Sequence, residues 1–156
     1  MKTSRYFLPR KEPMHFAKIP SWVLIVVLAA ISILLYANGL HGEFLIDDRQ
    51  AILENQRIHG LEHYFRQEFS LRPGIVWEAS RAILWKLGGH DVFAFHLFSV
   101  LAHAVCVILL FVLVSMLFGS RLFAFLSALI FALHPIHAEA VSWVSAGHNV
   151  LVSVFF

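Results

Sequence analysis

Four apolar runs alternate with polar stretches along the chain. The first covers residues 21–37 and, with Ile19 and Leu40 at its flanks, reaches the ~20 residues needed to cross a bilayer. Trp22 and Tyr36 stand near its two ends, where amphipathic aromatic rings settle at headgroup level. A cleaved signal peptide would share the basic start and apolar core. Tyr36-Ala37-Asn38-Gly39 is a poor small-x-small cleavage site, however, so an uncleaved span is expected. A second span is predicted over 93–118, followed by a tight turn at Gly119-Ser120-Arg121.

The third run, 122–133, holds only twelve apolar or small residues, ~18 Å of helix against the ~30 Å hydrocarbon core. Either the helix continues through His134, or it stops inside the protein. Pro135 biases His134 away from helical geometry and so supports a stop or a kink. A fourth run opens near Gly147 and is still apolar at Phe156, so the sequence reads as the N-terminal part of a longer protein.

Between the first two runs, residues 41–92 are polar by the standards of this chain. Gly42, Gly60, Pro73-Gly74 and Gly88-Gly89 divide them into short pieces. Residues 51–58 and 75–87 read as short amphipathic helices, the second with Ile75, Ala79, Ala82, Ile83 and Lys86 at helical spacing. With Trp77 and Trp85 on it, this second helix is expected to lie along the membrane surface. The fold class expected is an all-α polytopic membrane protein. It has a basic tail over 1–20, a long first outer loop over 41–92, and spans near 21–40, 93–118, 121–134 and 147–156.

Composition agrees with that pattern. The 156 residues are 59% hydrophobic and 14% charged, against about 45–50% and about 25% in globular chains. Cys106 is the single cysteine, so no disulfide can form within the chain. The basic residues are dispersed without a basic stripe, and no nucleic-acid partner is expected.

Charge distribution orients the spans. The tail carries Lys2, Arg5, Arg10, Lys11 and Lys18 against Glu12 alone, whereas 41–92 carries six basic and eight acidic residues. By the positive-inside rule the tail is cytoplasmic and the loop lies on the other side. Counting crossings then brings Asp47-Asp48 and the segment His134-Pro135-Ile136-His137-Ala138-Glu139 to one membrane surface, where two polar clusters distant in sequence share a mouth.

Adjacent carboxylates point in different directions, so Asp47 or Asp48 can take a proton while the other orients it or binds a cation or a basic side chain. Solvated loop acids are the plain alternative. His96, Ser99 and His103 lie at i, i+3 and i+7, on one helix face that should turn to the protein interior. The spacing of His134, His137 and Glu139 admits metal binding, capping of a short helix, or contact with a substrate phosphate. The helical His-Glu-x-x-His metal signature is absent. Arg72 before Pro73 is either a turn residue or a bidentate phosphate partner.

Phe44-x-x-Asp47-Asp48, Ile52-x-x-Asn55-x-x-Ile58, Arg72-Pro73, His96, and Ala132-Leu133-His134-Pro135-x-His137-x-Glu139-x-Val141 together resemble GT-C membrane glycosyltransferases. The nearest likeness is to the transmembrane and tetratricopeptide-repeat-containing O-mannosyltransferases and their bacterial relatives, over roughly residues 39–156. The resemblance implies a polyprenyl- or dolichyl-phosphate-linked sugar donor, mannose or another hexose, and a protein or glycan acceptor hydroxyl on the extracytoplasmic side. It implies catalytic roles for Asp47 and Asp48, and substrate or phosphate contacts for Arg72, His96, His134, His137 and Glu139. No cofactor is fixed by it, and a divalent cation at the acidic pair stays open. Gly147-His148 departs from the Gly-Arg that such proteins often carry. Two other classes fit the same residues: a polytopic transporter or channel with a path lined by His96, His103 and His134, and a membrane anchor for a repeat domain.

Overall fold

A computed structural model of the chain describes Phe16 and residues 18–59 and 75–155. Arg72 and most of the basic tail lie outside the described residues. Every regular element among the described residues is helical. In chain order these are α1 (Ser21–Tyr36), a 3-10 turn (Ala37–Gly39), α2 (Ile46–Asp48) running into a π-turn (Arg49–Leu53), and α3 (Gln56–His59). Then come α4 (Ile75–Gly88), α5 (Phe93–Phe118), α6 (Arg121–Leu133), α7 (His137–Ser142), a 3-10 turn (Val144–Ala146) and α8 (Gly147–Phe155).

Central α5 packs against α1, α4, α6, α7 and α8. Its left-handed terminator is Gly119, at φ 64°, a conformation that costs glycine nothing, and the Gly119 N–H closes onto Ser115 O at 2.9 Å. Ser120 then opens α6, its hydroxyl accepting the Phe123 N–H at 3.3 Å as an N-cap does. Arg121 Nη1 donates to Ile19 O at 3.0 Å and fastens this turn to the entry of α1.

Where α1, α5 and α6 meet, Ala124, Ala128 and Ala132 form a fully buried stripe against Leu24, Leu28, Val107 and Phe111. Small residues every fourth position let helix backbones approach closely, the usual device where lipid replaces water and packing must do the holding. Ser32, also fully buried, donates its hydroxyl to Leu28 O at 2.8 Å and so brings no unsatisfied group into the interface.

Among the described residues two helices are long and apolar enough to cross a membrane: Ser21–Gly39, with its 3-10 extension, and Phe93–Phe118. The α6 and α8 helices are apolar but shorter. α6 stops at Leu133, and His134 is extended at ψ 125°, so of the two courses open to this helix the early stop is the one taken, at the residue before the proline.

One local expectation is corrected. Residues 51–58 do not form one helix: a π-turn ends at Leu53, and α3 restarts at Gln56. His59 Nε2 closes back on Ile52 O at 2.8 Å and its ring stacks on Trp85 at 3.9 Å, so tertiary packing breaks the helix. The expected helix over 75–87 is present as α4, with one face packed and the other open. Arg81, Ala82 and Leu84 are buried, while Ile83 is 51% exposed and Lys86 is exposed. Val76, Ile83 and Leu87 form an exposed apolar face opposite.

Ala128→Leu should place three extra carbons in a stripe without room for them. A cost of about 1–3 kcal/mol is expected, read as a lower thermal midpoint of the detergent-solubilised protein, whereas Leu126→Ala on the exposed face should change it little.

Candidate functional site

Asp47 and Asp48 share one helical turn but have different surroundings, because successive residues of a helix project in different directions. Asp48 is 1% exposed. Its Oδ2 accepts the Leu45 N–H at 2.9 Å, reaching back over its own turn. Its Oδ1 accepts the Ser145 N–H at 2.8 Å and the Ser145 hydroxyl as well. Three donors on one carboxylate offset the cost of taking it out of water. Asp47, by contrast, is exposed.

The Asp48–Ser145 bridge joins positions 97 residues apart. It brings the α2 turn and the stretch that follows α7 to the same end of the bundle. Lys18 and Arg121 lie at the other end, beside the entry of α1 and the start of α6.

Below the bridge, His96, Ser99 and His103 are all buried on α5, as their shared face predicts. Asp48 lies within electrostatic reach of His96. The outer-loop backbone at Gly42 lies against the His96 ring, where an added Cβ would stand 3.3 Å from Nε2. The Nε2 atoms of His96 and His103 are buried without a hydrogen-bond partner. One face of the His103 ring stacks on Phe131 at 5.8 Å and its edge region meets Tyr36 at 5.5 Å.

His137 stands 5.3 Å from His103 and 4.2 Å from Phe131, between centroids, and 6.2 Å from His134. Burial, then the neighbouring His134, holds its pKa below the ordinary 6.5. His134 is exposed, and its Nδ1 accepts the Ile136 N–H at 3.2 Å across the turn into α7. Glu139 is exposed in the first turn of that helix. Among the described residues no three His, Cys, Asp or Glu side chains converge as metal ligands would. His134 caps the turn into α7, and His137 packs against the rings of His103 and Phe131.

Against this geometry the chain's relatives can be set. Protein O-mannosyl-transferase tmtc2 of Xenopus laevis is 34% identical over 143 residues, 82% of this chain and 17% of that protein. The human Protein O-mannosyl-transferase TMTC2 is 32% identical over 146 residues, 84% of this chain and 17% of that one. Protein O-mannosyl-transferase Tmtc1 of Drosophila melanogaster is 32% identical over 127 residues, 73% of this chain and 15% of that protein. The chain belongs to the TMTC family. No protein-family model and no solved structure matches it. The chain thus spans about a sixth of the length of the TMTC relatives it matches.

Two members of this site are not marked by the sequence reading. Ser145 has no motif, and only the fold brings it to Asp48. Arg81 is 9% exposed; its Nη1 donates to Ala51 O at 2.9 Å in the π-turn, and its guanidinium lies 5.4 Å from the Trp77 ring centroid. Trp77 in turn abuts Gly147, where an added Cβ would fall 2.8 Å from the indole. The one hint in the sequence is that Trp77 and Arg81 stand four residues apart, on one helix face.

A histidine whose folded pKa lies below its unfolded one takes up its proton more readily on unfolding. Stability is then intact above the unfolded value of 6.5 and falls as the pH drops from there toward the folded value. His137→Gln should therefore flatten the loss of thermal stability below about pH 6.5. Midpoints measured at pH 7.5 and pH 5.5 check this, and an unchanged difference between them would refute it.

Proposed function

We propose that this region contributes the acidic site of a membrane glycosyltransferase that moves a hexose, mannose by likeness to its relatives' names. The donor is a polyprenyl- or dolichyl-phosphate sugar, and the acceptor is a hydroxyl of a protein or glycan. The observation that carries the reading is the division of labour in the acidic pair. Asp48 is locked by Leu45 and Ser145, and Asp47 is presented beside it in the open.

Asp47 is the base of this scheme. As the acceptor oxygen forms its bond to C1 of the sugar, the C1–O bond to phosphate breaks and its electron pair leaves with the lipid phosphate. The acceptor proton passes to Asp47. Positive charge developing on the sugar ring is favoured by the anionic pair. Asp48 acts as a positioning residue. The half-buried His137, the exposed His134 and Arg72 are assigned to the departing phosphate by the family likeness.

The same reading places the acidic end of the bundle outside the cytosol and the Lys18–Arg121 end within it, following the basic bias of the tail. The apolar face of α4 formed by Val76, Ile83 and Leu87 then meets lipid at the outer surface.

In the full-length protein Asp47→Asn should reduce transfer from dolichyl phosphate mannose about a hundredfold or more, with expression and membrane insertion unchanged; transfer at the wild-type rate defeats the assignment. For sidedness, a membrane-impermeant maleimide should label Glu43→Cys and Glu139→Cys from outside the cytosol, and Lys18→Cys only after permeabilisation. Labelling of Glu43→Cys and Glu139→Cys from opposite sides would sink the shared site.

A further inference from the structure

Arg81 is a cation placed where cations are costly. It is nine-tenths buried on the packed face of α4, and its Nε is buried without a hydrogen-bond partner. An unsatisfied donor on a charged group carries a larger penalty than on a neutral one. A fold keeps such a group when packing compensates for it or when a ligand completes it.

Packing accounts for only part of the guanidinium. Its carbon lies 5.4 Å from the Trp77 ring centroid, and Nη1 is committed to Ala51 O. In a guanidinium, Nε and Nη2 form the edge opposite the bond already made through Nη1. That edge presents two parallel N–H groups, the geometry that receives a carboxylate or phosphate through two hydrogen bonds. Through Nη1 the same side chain holds the π-turn that continues directly from Asp47-Asp48, so the guanidinium and the acidic turn belong to one tethered unit. A base and an anion holder tied together in this way can serve the two sides of one sugar–phosphate linkage.

We infer that Arg81 binds the phosphate of the lipid-linked donor, and of the lipid phosphate left after transfer, through its Nε–Nη2 edge. This assignment rests on the glycosyltransferase reading and adds to it a residue that the family likeness did not mark. It also explains why the Arg81 bond to Ala51 matters. The same side chain that takes the phosphate tethers the turn carrying the base, so donor binding and placement of Asp47 are linked.

The test uses full-length protein in nanodiscs of neutral lipid, with dolichyl phosphate as the probe and dolichol as its uncharged control. Wild-type protein should be thermally stabilised by dolichyl phosphate and not by dolichol. Arg81→Lys keeps the charge and one donor for Ala51 but lacks the planar fork. It should fold with a near-native midpoint, lose about tenfold or more in affinity for dolichyl phosphate, and raise KM for the donor more than it lowers kcat. Arg81→Gln should lose the stabilisation altogether.

Unchanged dolichyl phosphate affinity in Arg81→Lys and Arg81→Gln, with wild type binding normally, overturns the assignment and leaves the transferase reading standing. No binding and no mannose transfer by wild type overturns both. Equal stabilisation by phosphatidylglycerol nanodiscs or by inorganic phosphate would show a general anion site, and would overturn the assignment to the donor.

Discussion

The bridge from Asp48 to Ser145 is the interaction on which the arrangement of this end of the molecule depends. It is made by a carboxylate near the start of the outer loop and a serine beyond the third apolar helix. It joins the acidic turn directly to the stretch that follows α7, above the buried face of α5. Removing the carboxylate would strand the Leu45 and Ser145 N–H groups, and each stranded donor costs about 1–3 kcal/mol. The bridge commits one acid to structure and leaves its neighbour exposed. That is why two adjacent aspartates have such different surroundings.

A second layer reinforces the same placement from the outside. The packed face of α4 sets Trp77 against Gly147 and Arg81 against the π-turn, while Trp85 stacks on His59. The outer helix is thus pinned to the acidic turn and to the start of α8 together. Aromatic rings do most of this work, since each covers a wide area and loses little rotamer entropy when fixed.

Much of this was legible in residue order, and the remainder has physical reasons for being hidden. Long apolar runs announce themselves, so the elements over 21–36 and 93–118 follow from length and hydropathy alone. Pro135 marked the end of α6, because a proline constrains the residue before it regardless of context. The shared face of His96, Ser99 and His103 followed from helical periodicity in the same way. The break after Leu53 did not show, because ring stacking and a histidine-to-carbonyl bond decide it from outside the segment. The burial of Arg81 on α4 did not show either, because a hydrophobic pattern counts an arginine as surface. Ser145 is a common residue made special only by what faces it.

The thirteen residues of α6 have one more consequence. At 1.5 Å per residue this helix rises only about 20 Å, some 10 Å less than the hydrocarbon thickness that α5 can match. On the proposed topology, the proline-bent stretch with His134 and His137 then begins below headgroup level. The bilayer must thin around it, or admit water beside it. Such a dent would bring the polar head of a long-chain lipid down to the protein sideways, within the plane of the membrane, while its tail stayed in oil throughout.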